Sequence, residues 1–133
     1  MNPYASPQAY RDSAVLTATP EQLVVMLYDG AVRFLRQAEH AMGEGAWMHS
    51  SEKLSRGEAI IDELLATLNM DTGEMAERLQ AIYVFCKKTL IEARLQRSAE
   101  KISHVVALLS SLREAWVKLA EQAAAAQHTP ASA

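Results

Sequence analysis

The chain has 133 residues, of which half are apolar and only 6% aromatic, so length and composition indicate one folded helical domain and exclude a disordered chain. The 13 basic and 16 acidic residues give a formal net charge of -3, and the absence of any basic run argues against nucleic-acid binding. Cys86 is the single cysteine, which excludes an intrachain disulfide and a paired-cysteine metal or redox site.

Residues 1–18 are predicted to form a mobile N-terminal arm, because they contain Pro3 and Pro7 and show little periodicity. They lack the basic region followed by an apolar segment that is typical of a signal peptide. No uncharged stretch of the chain reaches the roughly 18 residues that a membrane span requires. We therefore expect a soluble, cytoplasmic protein with no direct membrane insertion.

Four helices are predicted within residues 19–122. Helix one runs from about Pro20 to Met42, and Thr19 with Gln22 has the spacing of a capping box. The sequence GEGAW at 43–47 ends it. Helix two begins near Ser50 or Ser51 and ends before NMDTG at 69–73.

Helix three is predicted to begin with Asp71 as its cap, because Glu74 follows three residues later, and Ser98 is predicted to cap helix four. Residues 123–133 are expected to form a disordered tail. The links between helices are short, so neighbouring helices should be antiparallel. The predicted fold is therefore an all-α, antiparallel, up-down-up-down four-helix bundle.

Helices one, three and four carry more apolar residues than one helix face can hide. In helix one, a stripe of Leu23, Leu27, Ala31, Phe34 and Ala38 is flanked by Val24, Val25, Tyr28, Val32 and Leu35. The apolar positions of helix three are Leu79, Ile82, Tyr83, Cys86, Leu90 and Ala93, and those of helix four are Ile102, Val105, Leu109, Leu112, Trp116 and Leu119, flanked by Val106, Leu108 and Val117. A thick core, a homodimer or a partner surface would each account for the surplus.

Two local features of these helices also carry an expectation. Gly30 in the middle of helix one predicts close approach of another backbone, since glycine is otherwise unfavourable there. Tyr28, Tyr83 and Trp116 are expected to be half-buried, with their polar tips reaching water.

Spacings that build catalytic or metal sites are missing. A di-metal helical bundle uses Glu-x-x-His, but the residues three before His40, His49, His104 and His128 are Gln37, Ala46, Lys101 and Ala125. Glu100 and His104 are expected to form a surface contact rather than a metal site. We therefore expect a non-enzyme without catalytic residues, metal or cofactor. A signalling bundle that transfers phosphate through His40 remains an alternative.

Several segments resemble one known family. They are Tyr10, TATPEQLVVMLYDGAVRFLRQAEHAM at 17–42, IIDEL at 60–64, ERLQAIYVF at 77–85 and LLSSLREAW at 108–116. In this order and spacing they are similar to the flagellin export chaperones of bacterial flagella, the FliS family. The resemblance covers about residues 4–120 and is most specific at the Thr-Pro-x-x-Leu start and at Leu-Tyr-Asp-Gly-Ala.

The resemblance implies a cytosolic chaperone that binds the disordered C-terminal segment of flagellin, prevents premature polymerisation and delivers it to the membrane protein of the flagellar type III export gate. The surplus apolar residues would then form the client grooves. The client-binding residues implied are Tyr10, Val24, Tyr28, Val32, Ile82, Tyr83, Val106, Leu109 and Leu112. Tyr10 is also the implied export-gate contact.

Some positions depart from the family pattern. Arg94 and Arg97 stand where many members have Asn, and Ser98 stands where many have Asp. A purely structural homodimer is the other alternative function, and a weak homodimer of the client-free chain is compatible with the chaperone role.

Overall fold

Helices account for nearly all of the chain that the structure describes. The computed structural model describes residues 17–128, in which α1 spans Pro20–Gly43, α2 Trp47–Ala66, α3 Glu74–Gln96 and α4 Ala99–His128. A short 3-10 turn, Met70–Thr72, lies between α2 and α3. The predicted all-α four-helix bundle is confirmed. Apart from residues 17 and 18, the predicted N-terminal arm lies outside the described range.

Each helix packs against its two neighbours in an antiparallel ring. α1 contacts α2 and α4, and α3 contacts the same two helices, so α1 and α3 face each other across the diagonal. Cross-helix ion pairs show the antiparallel order: Glu58 and Asp62 of α2 pair with Arg94 and Lys87 of α3, respectively. Within residues 17–128, none of the helices combines the length and the apolar character that a membrane span requires.

Local capping chemistry explains two of the helix starts. The Thr19 hydroxyl accepts from the Gln22 backbone N–H at 3.1 Å, and the Gln22 side chain accepts from the Thr19 N–H at 2.8 Å, which confirms the capping box. The Ser98 hydroxyl accepts from the Lys101 N–H at 3.2 Å, as predicted for α4.

The predicted starts of α2 and α3 are wrong. Ser50 is not a cap: it is buried inside α2, and its hydroxyl donates to the Ala38 carbonyl of α1 at 2.8 Å. Asp71 does not cap α3, because it lies inside the 3-10 turn, which the Asn69 side chain caps by accepting from the Asp71 N–H at 3.0 Å. Gly73, with φ of 91°, leads into α3 instead.

α4 continues to His128, beyond the bundle boundary predicted at residue 122. Residues 123–126 are alanines, which have the highest helix propensity, so this end remains helical. The predicted tail therefore contains a helical part, and its last five residues, 129–133, lie outside the described range.

One buried cluster joins all four helices, and α2 approaches α1 closely within it. A Cβ added at Gly57 of α2 would lie 2.6 Å from Cδ2 of Leu35, so only glycine fits without movement. A Cβ at Gly30 of α1 would lie 3.0 Å from Cδ1 of Ile60. The close approach predicted at Gly30 is therefore real, but its neighbour is a side chain rather than a backbone.

Candidate functional site

An apolar cleft of about 530 Å³ opens at the end of the bundle where α1 begins. The first two turns of α1, the segment after α2, the first half of α3 and the middle of α4 form its walls. Its apolar lining includes Leu23, Val24, Leu27, Leu68, Met75, Leu79, Leu112, Trp116 and Leu119. Leu23, Met75 and Leu119 are exposed at its rim. Such a concave apolar surface is typical of a site that buries apolar side chains of a partner.

The floor of the cleft rests on a buried tyrosine pair. Tyr83 of α3 lines the cleft, and its hydroxyl bonds to that of Tyr28 from α1. Burial raises the pKa of both phenols above their ordinary value, and the neighbouring hydroxyl raises that of Tyr28 further. Both side chains are fully buried, so the expectation that their hydroxyls reach water is wrong. Each hydroxyl instead provides the hydrogen-bond partner that the other needs.

A second apolar surface lies on α3. Val84, Phe85, Ile91 and Leu95 have exposed fractions of 53%, 57%, 50% and 79%, and we call them the α3 row. The opposite face of the same helix buries Tyr83, Cys86, Leu90 and Ala93 in the core. α3 thus carries large apolar side chains on its exposed side as well as in the core, with the exposed Lys88 between Val84 and Ile91, which is unusual for a helix of a small bundle that binds no partner.

The structure divides the predicted client-binding residues into three groups. Val24, Tyr83 and Leu112 line the cleft. Tyr28, Val32, Val106 and Leu109 lie in the buried core, and Ile82 is partly buried against it. Tyr10 lies outside the described residues. Leu109 has no exposed area, so a partner could reach it only if the bundle opened. The client-binding role of all nine residues stays a prediction.

Several surface residues were missed by the sequence analysis. The α3 row was overlooked, as were the exposed rim residues of the cleft, although Leu23 and Leu119 had been placed on the inner stripes. A signal for the row was present in the run IYVFCKKTLI at 82–91, whose apolar residues no single helical stripe can hold. Trp116 was predicted correctly as half-buried.

Polar groups elsewhere form surface contacts. Glu100 and His104 are both exposed and lie 3.8 Å apart, the surface contact that was expected. His40, the residue of the phosphotransfer alternative, is exposed beside Glu44 at 4.0 Å. Within residues 17–128, no group of three or more histidine, cysteine, aspartate or glutamate side chains is placed to hold a metal ion.

Comparison with known proteins decides the family. A family model described as flagellar protein FliS matches residues 2–123. The chain belongs to the FliS family. It is 37% identical over 114 residues to the flagellar secretion chaperone FliS of Salmonella typhimurium, covering 84% of each chain. It is 32% identical over 115 residues to that of Bacillus subtilis, covering 86% of this chain and 84% of the relative.

A solved structure shares the fold. The chain superposes on a structure described as a flagellar chaperone from bacteria with a TM-score of 0.73 and 21% identity, covering 86% of this chain and 97% of the other. As a FliS family member, the chain is a flagellar export chaperone and not an enzyme. The phosphotransfer alternative through His40 is therefore set aside.

Arg94 and Arg97, the arginines singled out in the sequence, have structural partners. Arg94 reaches across to α2, where Nη1 lies 2.8 Å from a Glu58 carboxylate oxygen and Nη2 donates to the Ser55 hydroxyl at 3.2 Å. Arg97 ends α3 in the left-handed conformation, and its guanidinium lies 4.5 Å from the Trp47 ring centroid. Both side chains therefore tie helices or helix ends together.

Proposed function

We propose that this chaperone binds the C-terminal segment of flagellin in the cytoplasm, keeps it from polymerising and delivers it to the flagellar type III export gate. The observation that carries the proposal is the apolar cleft together with the α3 row on one chaperone bundle. A disordered amphipathic segment gains helix by laying its apolar face on such surfaces, while its polar face remains in water.

Both surfaces suit a client that folds as it binds. The cleft offers concave apolar walls for side chains at one end of the bundle, and the α3 row offers a convex apolar helix face. Burial of these residues under the client removes their apolar area from water, and this burial provides the driving force. No nucleotide is required, because occupancy alone covers the segment that would otherwise pair with other flagellins.

A binding experiment with paired variants tests the proposal. Purified chaperone is titrated with flagellin and with flagellin that lacks its C-terminal segment, and we expect one-to-one binding to the first only. Leu23→Ser with Leu119→Ser changes the cleft rim, and Ile91→Ser with Leu95→Ser changes the α3 row. Each double variant should weaken binding about tenfold or more, because two side chains lose apolar burial.

The matched control is Met48→Ser, since Met48 is 90% exposed and belongs to neither surface. It should bind flagellin as the unchanged chain does, and all variants should keep the same melting temperature. Normal flagellin binding by both double variants would overturn the assignment of these surfaces. A stable dimer that flagellin does not dissociate would favour the homodimer alternative.

We propose Tyr10 as the residue that contacts the export gate, and the family resemblance supports this assignment. If Tyr10 acts at the gate alone, Tyr10→Ala should leave flagellin binding unchanged and reduce flagellin export in cells, whereas weaker flagellin binding by this variant would assign Tyr10 to the client surface. Deletion of residues 1–15 separates the two roles of this segment. Tighter flagellin binding after deletion would indicate a lid over the client surface, whereas unchanged binding with failed export would indicate a gate contact.

A further inference from the structure

Three cationic side chains converge on one aromatic ring on the outer face of α1 and α2. The guanidinium carbons of Arg33 and Arg56 lie 5.4 and 5.7 Å from the centroid of the Phe34 ring, and the Lys53 ammonium lies 5.5 Å from it. Attraction to the ring limits the freedom of the three charged groups. Less conformational entropy is therefore lost when these groups bind a partner.

Negative charge on this face does not balance the cations. Arg56 pairs with Glu52 at 3.3 Å, whereas in the described part of the chain no carboxylate lies within 4.0 Å of Arg33 or Lys53. Cations without such a partner also occur elsewhere, namely Lys88, Arg97 and Lys118, but these lie apart from one another on α3, at its end and on α4. Among the described residues, this face is distinguished by three cations that share one ring, although the chain as a whole has a net charge of -3.

This face points away from the surfaces assigned to flagellin. α1 lies diagonally opposite α3, and Phe34 sits on the side of α1 that meets α2, where Lys53 and Arg56 are. All three cationic groups lie within 5.7 Å of one ring centroid, so the charged area is short. Such a short area matches a few carboxylates on one or two turns of a peptide better than the long phosphate chain of a nucleic acid.

We propose that the cationic patch, formed by Arg33, Lys53 and Arg56 around Phe34, docks a short acidic segment of a partner protein other than flagellin. Carboxylates of that segment pair with the arginines and the lysine and relieve their mutual repulsion. Side-chain methylenes of the segment cover the edge of the half-buried Phe34 ring.

A peptide titration tests the patch on the full chain. A labelled peptide of about twelve residues, with glutamates at helical i, i+4 spacing, is compared with a peptide in which each glutamate is glutamine. We expect saturable binding of the acidic peptide only. Raising the salt from about 50 to about 300 mM should weaken this binding about tenfold, because exposed charge pairs are screened.

The deciding variants carry the same change in net charge. The patch variant combines Arg33→Gln, Lys53→Gln and Arg56→Gln, and it should weaken peptide binding about tenfold or more. The control variant combines Arg78→Gln, Lys88→Gln and Lys118→Gln, and it should change peptide binding less than about twofold. Equal loss in both triple variants, or no saturable binding by the unchanged chain, would overturn the proposal. Tighter binding of a twelve-nucleotide single strand would overturn it in favour of nucleic acid.

Two further measurements separate this surface from others. The patch variant should bind flagellin as the unchanged chain does, and a parallel loss of flagellin binding would overturn a separate partner site. Light scattering checks for a second copy of the chain as the occupant. If the unchanged chain self-associates and the patch variant does not, the acidic-partner assignment is overturned. If the unchanged chain and the patch variant are both monomers, the assignment is supported.

Discussion

The hydroxyls of Tyr28 and Tyr83 lie 2.5 Å apart and connect α1 to α3 across the diagonal of the bundle. Their rings are tilted by 53°, with centroids 6.3 Å apart, and both side chains are fully buried. The pair forms a polar contact within an apolar core and supports the floor of the cleft.

Removal of one hydroxyl of this pair should cost more than removal of both. Tyr28→Phe leaves the Tyr83 hydroxyl buried without its partner, which should lower the free energy of unfolding by about 1 to 3 kcal/mol. Tyr83→Phe should cost less, because the Trp116 side chain also hydrogen-bonds to the Tyr28 hydroxyl. The double Phe variant loses both polar groups and should be closer in stability to the unchanged chain. Urea unfolding of all four proteins measures this coupling, and strictly additive losses would contradict it.

Alkaline pH should destabilise the protein through the same buried groups. Burial raises the pKa of Cys86 to about 11 and raises those of Tyr28 and Tyr83. The unfolded chain ionises at the ordinary values while the folded chain holds its protons. The contribution of these groups to stability is therefore fully present below the ordinary pKa values of the unfolded chain. It is lost as pH rises from those values through the raised pKa values of the folded chain.

Urea unfolding midpoints at about pH 8 and about pH 10.5 measure the alkaline loss. The Tyr28→Phe and Tyr83→Phe double variant is the comparison, and its midpoint should fall less. An equal fall in both proteins would show that these phenols do not contribute.

Glycine at position 57 should be required for packing. Gly57→Ala places a Cβ 2.6 Å from Leu35 Cδ2 and 2.9 Å from its Cγ, so the buried leucine must move. We expect a loss of about 1 to 3 kcal/mol in the free energy of unfolding. Gly43→Ala is the matched control, because its Cβ would meet nothing within 4 Å. The control should be neutral or stabilising by up to about 1 kcal/mol.

The capping box should contribute to stability at the edge of the cleft. Thr19→Ala removes the acceptor of the Gln22 N–H and should cost about 0.5 to 2 kcal/mol. Thr19→Ser keeps the hydroxyl and should retain most of the stability. Thermal unfolding followed by circular dichroism compares the three proteins, and equal melting temperatures would show that the cap is not needed.

Core and rim leucines should respond differently to truncation. Leu109 has no exposed area, so Leu109→Ala should cost about 2 to 5 kcal/mol of stability. Leu23 is exposed at the cleft rim, so Leu23→Ala should leave the melting temperature nearly unchanged and weaken flagellin binding. Early melting of the Leu23 variant would place that residue in the core instead.

Sequence reasoning succeeded where a few adjacent residues decide the structure. The start of α1 depends on Thr19 and Gln22, and that of α4 on Ser98, all within one turn of the helix they cap. It failed at Asp71, because Asn69 forms a competing local turn that the Asp-x-x-Glu spacing does not reveal.

The surplus of apolar residues was readable from the sequence, but its location was not. Helical periodicity shows which residues share a face of α1 or α3, whereas the neighbouring helices determine which face is covered. The nearest partner of the Tyr28 hydroxyl is 55 residues away, so its burial could not be inferred from local spacing. Residue patterns were thus enough to indicate the bundle, its family resemblance and its excess of apolar surface. Only the packing of four helices decided that Tyr28 and Leu109 are buried while the α3 row and the cleft rim remain exposed, since burial depends on contacts between distant segments.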